Sequence, residues 1–183
     1  MRIGIDDTDS PAGMCTTYLG AVLASRLRDE GMQVDRALLV RLNPNVIWKT
    51  RGNAAICLEV TGSAETAFSV ACRTVEELAD FSGDMTNPGV VVSQSSLPVE
   101  FYKKAVQGFC ETKEALAILV EGGALFRGYK NCRGLIGATA AVTSSFDDST
   151  WELLAYRDPG LRDTPRRVDK ESFFASEQAT FPH

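Results

Sequence analysis

Three carboxylates, Asp6, Asp7 and Asp9, fall within four consecutive positions, directly after the short run "RIGI" and shortly before a helical pattern. Like charges crowded at the end of a strand repel one another unless solvent or a bound cation screens them, so the cluster asks for a cation. Mg²⁺ suits it, because that ion prefers oxygen ligands and is commonly held by one or two carboxylates together with waters and substrate phosphates. Asp6 and Asp7 are the candidate metal ligands, and Asp9 is a third or supporting group. Gly13, Met14, Cys15, Thr16 and Thr17 then open a helix, whose unpaired N–H groups and positive end can hold an anion. Metal on one side and helix amides on the other would bracket a triphosphate. The same residues also make a plain Asx-turn and helix cap, in which acidic groups favour the helix dipole. The residues alone leave both readings open.

Two loops carry matching cations. "RLNPNVIWKTRGNAA" concentrates Arg41, Lys49 and Arg51 among asparagines and glycine, a composition expected where backbone approaches phosphates closely, with Lys49 as a point charge and Arg51 as a bidentate fork. "YKNCRGLIG" repeats the recipe with Lys130, Arg133, Gly134 and Gly137 at a helix start. An exposed polar loop is the alternative for each. There is no G-x-x-x-x-G-K-[ST] loop and no protein-kinase signature set, so a nucleotide site here belongs to another design. Trp48 could stack on a base, whereas Trp151 opens an apolar run and reads as core.

The elements that must position these groups follow from periodicity. Arg2 to Asp6 reads as a strand stopped by the turn residues "DSPAG", and Met14 to Glu30 carries apolar residues at helical spacing up to Gly31. "RALLVRL" (36–42) and "NAAICLEVTG" (53–62) read as strands, Ser63 as the N-cap of a second helix, and "GVVVSQ" as a fourth strand. Helices are expected around 99–110 and 113–121 before glycines interrupt, then a small-residue helix in "RGLIGATAAV" and a strand in "WELLAYR". The order β-α-β-β-α-β predicts an α+β fold of two layers, helices covering one face of a largely antiparallel sheet. The division expected is residues 1–128 and a second, incomplete unit over 129–183.

Bulk properties narrow the function. The chain of 183 residues is 44 % hydrophobic, enough for a core, and its net charge of −5 argues against coating nucleic acid through bulk electrostatics, so any RNA contact is local. The five cysteines are scattered without a C-x-x-C pair, which suggests neither a disulfide framework nor a zinc site and suits a reducing cytoplasm. The single histidine lies at 183, so no Cys–His nucleophile pair is expected around Cys15. Charged residues interrupt the N-terminus at once, and no apolar run reaches the length of a membrane span.

Taken in order, "GIDDTDSPAGMCTTYL", "VRLNPNVIWKTRGNAA", "TNPGVVV", "CRGLIGATAAV" and "WELLAYRDP" resemble the archaeal 2-agmatinylcytidine synthetase family, which acts on the isoleucine tRNA with a CAU anticodon. The resemblance implies a kinase-like domain that binds ATP and magnesium, followed by the start of a ferredoxin-like domain. It implies a cytoplasmic ligase that activates C2 of the wobble cytidine by phosphorylation and attaches agmatine, with neither DNA nor a membrane as partner. By matched motif, Asp6, Asp7 and Asp9 would belong to the metal–ATP site, Thr16 would carry a phosphoryl group, and Lys49, Arg51, Asn53 and Arg133 would face phosphates, with Gly13 and Thr17 beside them. Family members continue into an OB-fold and a zinc ribbon that hold the tRNA, so a fragment or a shortened relative is expected. Two other functions fit the residues: a Mg–ATP phosphotransferase on a small substrate, and a non-catalytic nucleotide-binding module.

Overall fold

The computed structural model describes residues 1–10, 13–49, 52–145 and 170–180. Arg51, Trp151, the strand expected in "WELLAYR" and His183 lie outside the described residues. The chain runs β1 (Arg2–Asp6), α1 (Thr16–Asp29), β2 (Gln33–Arg41), β3 (Ala54–Thr61), α2 (Ala64–Leu78), β4 (Gly89–Ser93), α3 (Val99–Gln107), α4 (Thr112–Glu121), β5 (Leu125–Gly128), α5 (Gly134–Thr143) and α6 (Lys170–Thr180). One sheet holds all five strands in the order β2-β3-β1-β4-β5, every neighbouring pair antiparallel. β1, which carries the carboxylates at its end, therefore sits at the centre.

Local chemistry explains the elements. The Ser63 hydroxyl accepts from Thr66 N–H and starts α2, satisfying one of the donors a helix leaves unpaired. α1 is capped instead by Cys15, whose sulfur accepts from Tyr18 N–H at 3.4 Å. Gly31, with φ +79°, adopts the left-handed conformation that ends a helix cheaply. β5 was not evident from sequence because four residues, "LFRG", are too short to display an alternation.

The expected two layers are three. Alternation along β1 sends Ile3 and Ile5 to one face, where they meet Leu19, Leu23 and Leu27 of α1 and Val70 and Val75 of α2. The other face does not meet water: α5 lies across β1, β3 and β4, with α3 and α4 packed against it. Ala140 and Ala141 of α5 contact Ala55 and Cys57 of β3 there. The helix was legible, but its small residues carry little amphipathic signal, so its place on this sheet was not.

Alanine and glycine on that face let α5 approach closely. A Cβ on Gly4 would lie 2.1 Å from the Ala138 carbonyl oxygen, and one on Gly89 would lie 2.2 Å from the Gly134 carbonyl carbon. Arg2, on the same face of β1, donates to the Ser144 carbonyl at the far end of α5 and pairs with Glu59 at 2.8 Å. Cations at a helix C-terminus suit its dipole.

Candidate nucleotide site at the end of β1

Strand alternation also fixes the first carboxylate. Asp6 shares a face with Arg2 and Gly4, so it points toward α5, where Gly137 leaves it room: a Cβ there would stand 1.8 Å from Asp6 Oδ2. Burial pushes the Asp6 carboxyl well above the usual carboxylate range, and Asp7 and Asp9 push it further. Asp7 then turns the chain with φ +56°, a left-handed conformation that aspartate tolerates better than most residues.

Arg133, at the entry to α5, donates to Asp7 Oδ2 from Nε (3.1 Å) and from a terminal nitrogen (2.8 Å), and to the Met85 carbonyl at 2.6 Å. The pair is largely enclosed, with side-chain exposures of 19 % and 11 %. Burial still wins over this partner and holds Asp7 up at about 6. Arg133, expected to face a phosphate, is thus occupied by a carboxylate.

Asp6, Asp7, Asp9 and Arg133 line a cavity of about 300 Å³ together with Lys49, Gly52, Asn53 and Gly137, and with Trp48 and Phe109. Lys49 Nζ donates to the Val46 carbonyl at 2.9 Å, and Asn53 Nδ2 to the Asn43 carbonyl at 2.9 Å. Asn53 therefore braces the loop between β2 and β3 that carries Lys49. Of the basic groups foreseen on the second loop, Lys130 is elsewhere, donating to the Gly83 carbonyl at 2.7 Å.

The helix-start residues do not line this cavity. Thr16 is buried, its hydroxyl accepting from Thr8 Oγ1 at 3.1 Å, and Thr17 Oγ1 lies 3.2 Å from Cys15 Sγ. Gly13 forms the bend before α1. Sequence reasoning missed Thr8, Phe109 and the space at Gly137, and the only hint of the last was a glycine recurring three residues after Gly134.

Among the described residues no group of three or more His, Cys, Asp or Glu side chains could by itself hold a metal ion. The carboxylates fit magnesium in the other manner, with one or two protein oxygens and the remaining donors from phosphate and water. The room left for Asp6 at Gly137 keeps its carboxylate at the cavity wall.

Two family models match the chain, the TiaS TCKD domain over residues 2–66 and the TiaS FLD domain over residues 132–183. The isoleucine-tRNA 2-agmatinylcytidine synthetase TiaS of Methanocorpusculum labreanum is 54 % identical over 184 residues, covering 100 % of this chain and 44 % of the relative. The chain belongs to the TiaS family. TiaS of Pyrococcus horikoshii is 40 % identical over 188 residues, again with 100 % of this chain and 44 % of the relative covered. The chain thus spans less than half the length of the TiaS proteins it matches. A solved complex of TiaS with its isoleucine tRNA and ATP superposes with a TM-score of 0.86 at 38 % identity, over 99 % of this chain and 45 % of that one. A complex of TiaS with the same tRNA, AMPCPP and agmatine gives a TM-score of 0.85 at 36 % identity, with the same coverage.

Proposed function

We propose that this chain is the ATP-handling part of a cytoplasmic ligase that activates C2 of the wobble cytidine in the CAU anticodon of an isoleucine tRNA and joins agmatine to it. The observation that carries this reading is the convergence of Asp6, Asp7 and Asp9 with Lys49 on one cavity at the end of the central strand. The solved TiaS complexes with isoleucine tRNA and ATP, and with agmatine, share its fold and more than a third of its sequence. The cytosine C2 oxygen is a poor leaving group until phosphorylated, after which a primary amine can displace phosphate. ATP therefore serves as the activator.

Within that reading residues 1–128 are the kinase-like domain and 129–183 open a ferredoxin-like domain, a division supported by the second family match beginning at 132. Asp6 and Asp7 would hold magnesium, which supplies charge neutralisation for the phosphates, and Asp9 would support them. Arg133 keeps Asp7 oriented through two hydrogen bonds. Lys49, Arg51 and Asn53 would face the phosphates, and Gly13 and Thr17 would lie beside them at the entry to α1. Thr16, in the first turn of α1, is the residue assigned to receive a phosphoryl group. Its hydroxyl is buried against Thr8 and off the cavity lining, so the transfer requires that turn to open toward the phosphates. The membrane plays no part in this reading, and no described helix is long and apolar enough to cross one.

Calorimetry of ATP binding with magnesium, followed by mass spectrometry of the peptide spanning Cys15 to Arg26, tests the assignment. Micromolar to millimolar binding and a phosphate on that peptide are expected. A chain that binds no ATP would return the carboxylates to a turn-forming role. Labelled agmatine offered with ATP and the CAU-anticodon tRNA measures the whole reaction, and this chain alone is expected to incorporate little label, since its net charge of −5 attracts RNA poorly.

A further inference from the structure

The cavity has a polar floor and an aromatic rim, and the floor alone has been given a task. Trp48 and Phe109 both line it, yet they stay 57 % and 67 % exposed. Neither ring stacks on another among the described residues, whereas Phe81 and Tyr129 pair with centroids 5.5 Å apart. Large apolar side chains left open at the mouth of a cavity mark a contact surface.

The two rings come from different segments, and those segments are tied together. Trp48 lies on the β2–β3 loop and Phe109 follows α3. Asn43 N–H donates to the Ala105 carbonyl at 3.0 Å and Asn43 Nδ2 to the Gly108 carbonyl at 2.8 Å, while its own Oδ1 accepts from Asn45 N–H at 2.9 Å. One asparagine therefore clamps the Trp48 loop to the turn that carries Phe109. This bracing holds both segments in place before anything binds, lowering the ordering cost that binding must offset. Leu42, Ala105 and Ile136 add apolar lining to the same cavity, alongside the carboxylates and Lys49. A flat apolar ring at the mouth and a charged, metal-carrying tail at the floor is the outline of a nucleotide.

Resting on the nucleotide reading above, we propose that Trp48 and Phe109 form a stacking rim for a nucleobase presented over the carboxylate floor. The base comes either from ATP or from an RNA loop, since both offer the same π-face to an aromatic side chain. Stacking is sequence-tolerant, so the rim holds a base while other groups choose it.

The experiment titrates the wild-type chain, W48A, F109A and W48F with ATP, with inorganic tripolyphosphate, and with a CAU anticodon stem-loop in the presence of saturating ATP and magnesium. A stem-loop abasic at the wobble position is the RNA control. If the rim takes adenine, W48A and F109A each lose roughly tenfold in ATP affinity, keep tripolyphosphate affinity, and W48F recovers most of the loss. If it takes an RNA base, the same variants lose the stem-loop but not ATP, and the abasic stem-loop is indifferent to them. Equal loss of ATP and tripolyphosphate, or unchanged affinity for both ATP and the stem-loop, overturns the rim while leaving the nucleotide site standing. A wild-type chain that binds none of the three ligands overturns both.

Discussion

The two faces of the sheet are built on opposite packing rules. On the α1–α2 face, Ile3, Ile5, Leu19, Leu23, Leu27 and Val75 fill the space with branched side chains, all of them fully buried. On the α5 face, Gly4, Gly89 and Gly134 remove side chains so that helix backbone can touch strand backbone, and Gly137 does so to leave room for the Asp6 carboxylate. The first face buries apolar area, which scales with stability. The second also buries Val91, Phe101, Leu119 and Leu135, but at its glycines backbone meets backbone and has little room to adjust. The carboxylates sit on the second face. Arg133 fastens one end of α5 to Asp7, and Arg2 fastens the other end through the Ser144 carbonyl.

The largest effect should come from breaking backbone contact. Gly4→Val would drive a branched side chain into the Ala138 carbonyl, 2.1 Å from the first atom added, and cooperative thermal unfolding followed by circular dichroism should disappear. Next comes Leu23→Ala on the other face, where an emptied core site costs about 2–5 kcal/mol. Its melting temperature should fall, and ATP affinity measured below that transition should stay within twofold of wild type. Loss of ATP binding in the folded Leu23→Ala protein would dissolve the distinction between the faces.

Gly137→Ala sharpens the comparison. The new methyl displaces the Asp6 carboxylate, a side chain, rather than backbone, and alanine is the better helix former by about 1 kcal/mol. The chain should fold with near wild-type circular dichroism and lose at least roughly tenfold in ATP affinity, a factor equivalent to ~1.4 kcal/mol.

The smallest and most pH-dependent effect on stability belongs to Asp6→Asn. Burial raises the folded-state pKa of Asp6 above its ordinary value, so the folded protein holds that proton to higher pH than the unfolded chain. Stability from this group is complete below about pH 4 and is lost as pH rises through the folded value. Asp7, held up at about 6, adds a loss of the same sign between pH 4 and 6. Asp6→Asn removes the Asp6 part, so its melting temperature at pH 7.5 should exceed that of wild type. The gain should vanish near pH 4, and metal-dependent ATP binding should be lost. A lower melting temperature at pH 7.5 would mean that the carboxylate is stabilised by groups other than those found around it.

Much of this molecule was legible residue by residue. Strand β1 (Arg2–Asp6), the cap at Ser63, the stop at Gly31 and the helix in "RGLIGATAAV" follow from periodicity and turn chemistry, which act between neighbours in the chain. The acidic cluster was legible for the same reason, because three carboxylates in four positions are a local fact. What tertiary structure decided is where α5 goes and what that does to the cluster. Asp7 and Arg133 are 126 residues apart in sequence, and no local pattern predicts that one closes on the other. Gly137 has no side chain to advertise its partner, and nothing local marks Phe109, which the turn after α3, tied to Asn43, leaves exposed beside the cavity. Short-range interactions choose the elements; the pKa of Asp6 and the shape of the cavity depend on long-range contact, because desolvation is set by whatever packs against a group, wherever in the chain it comes from.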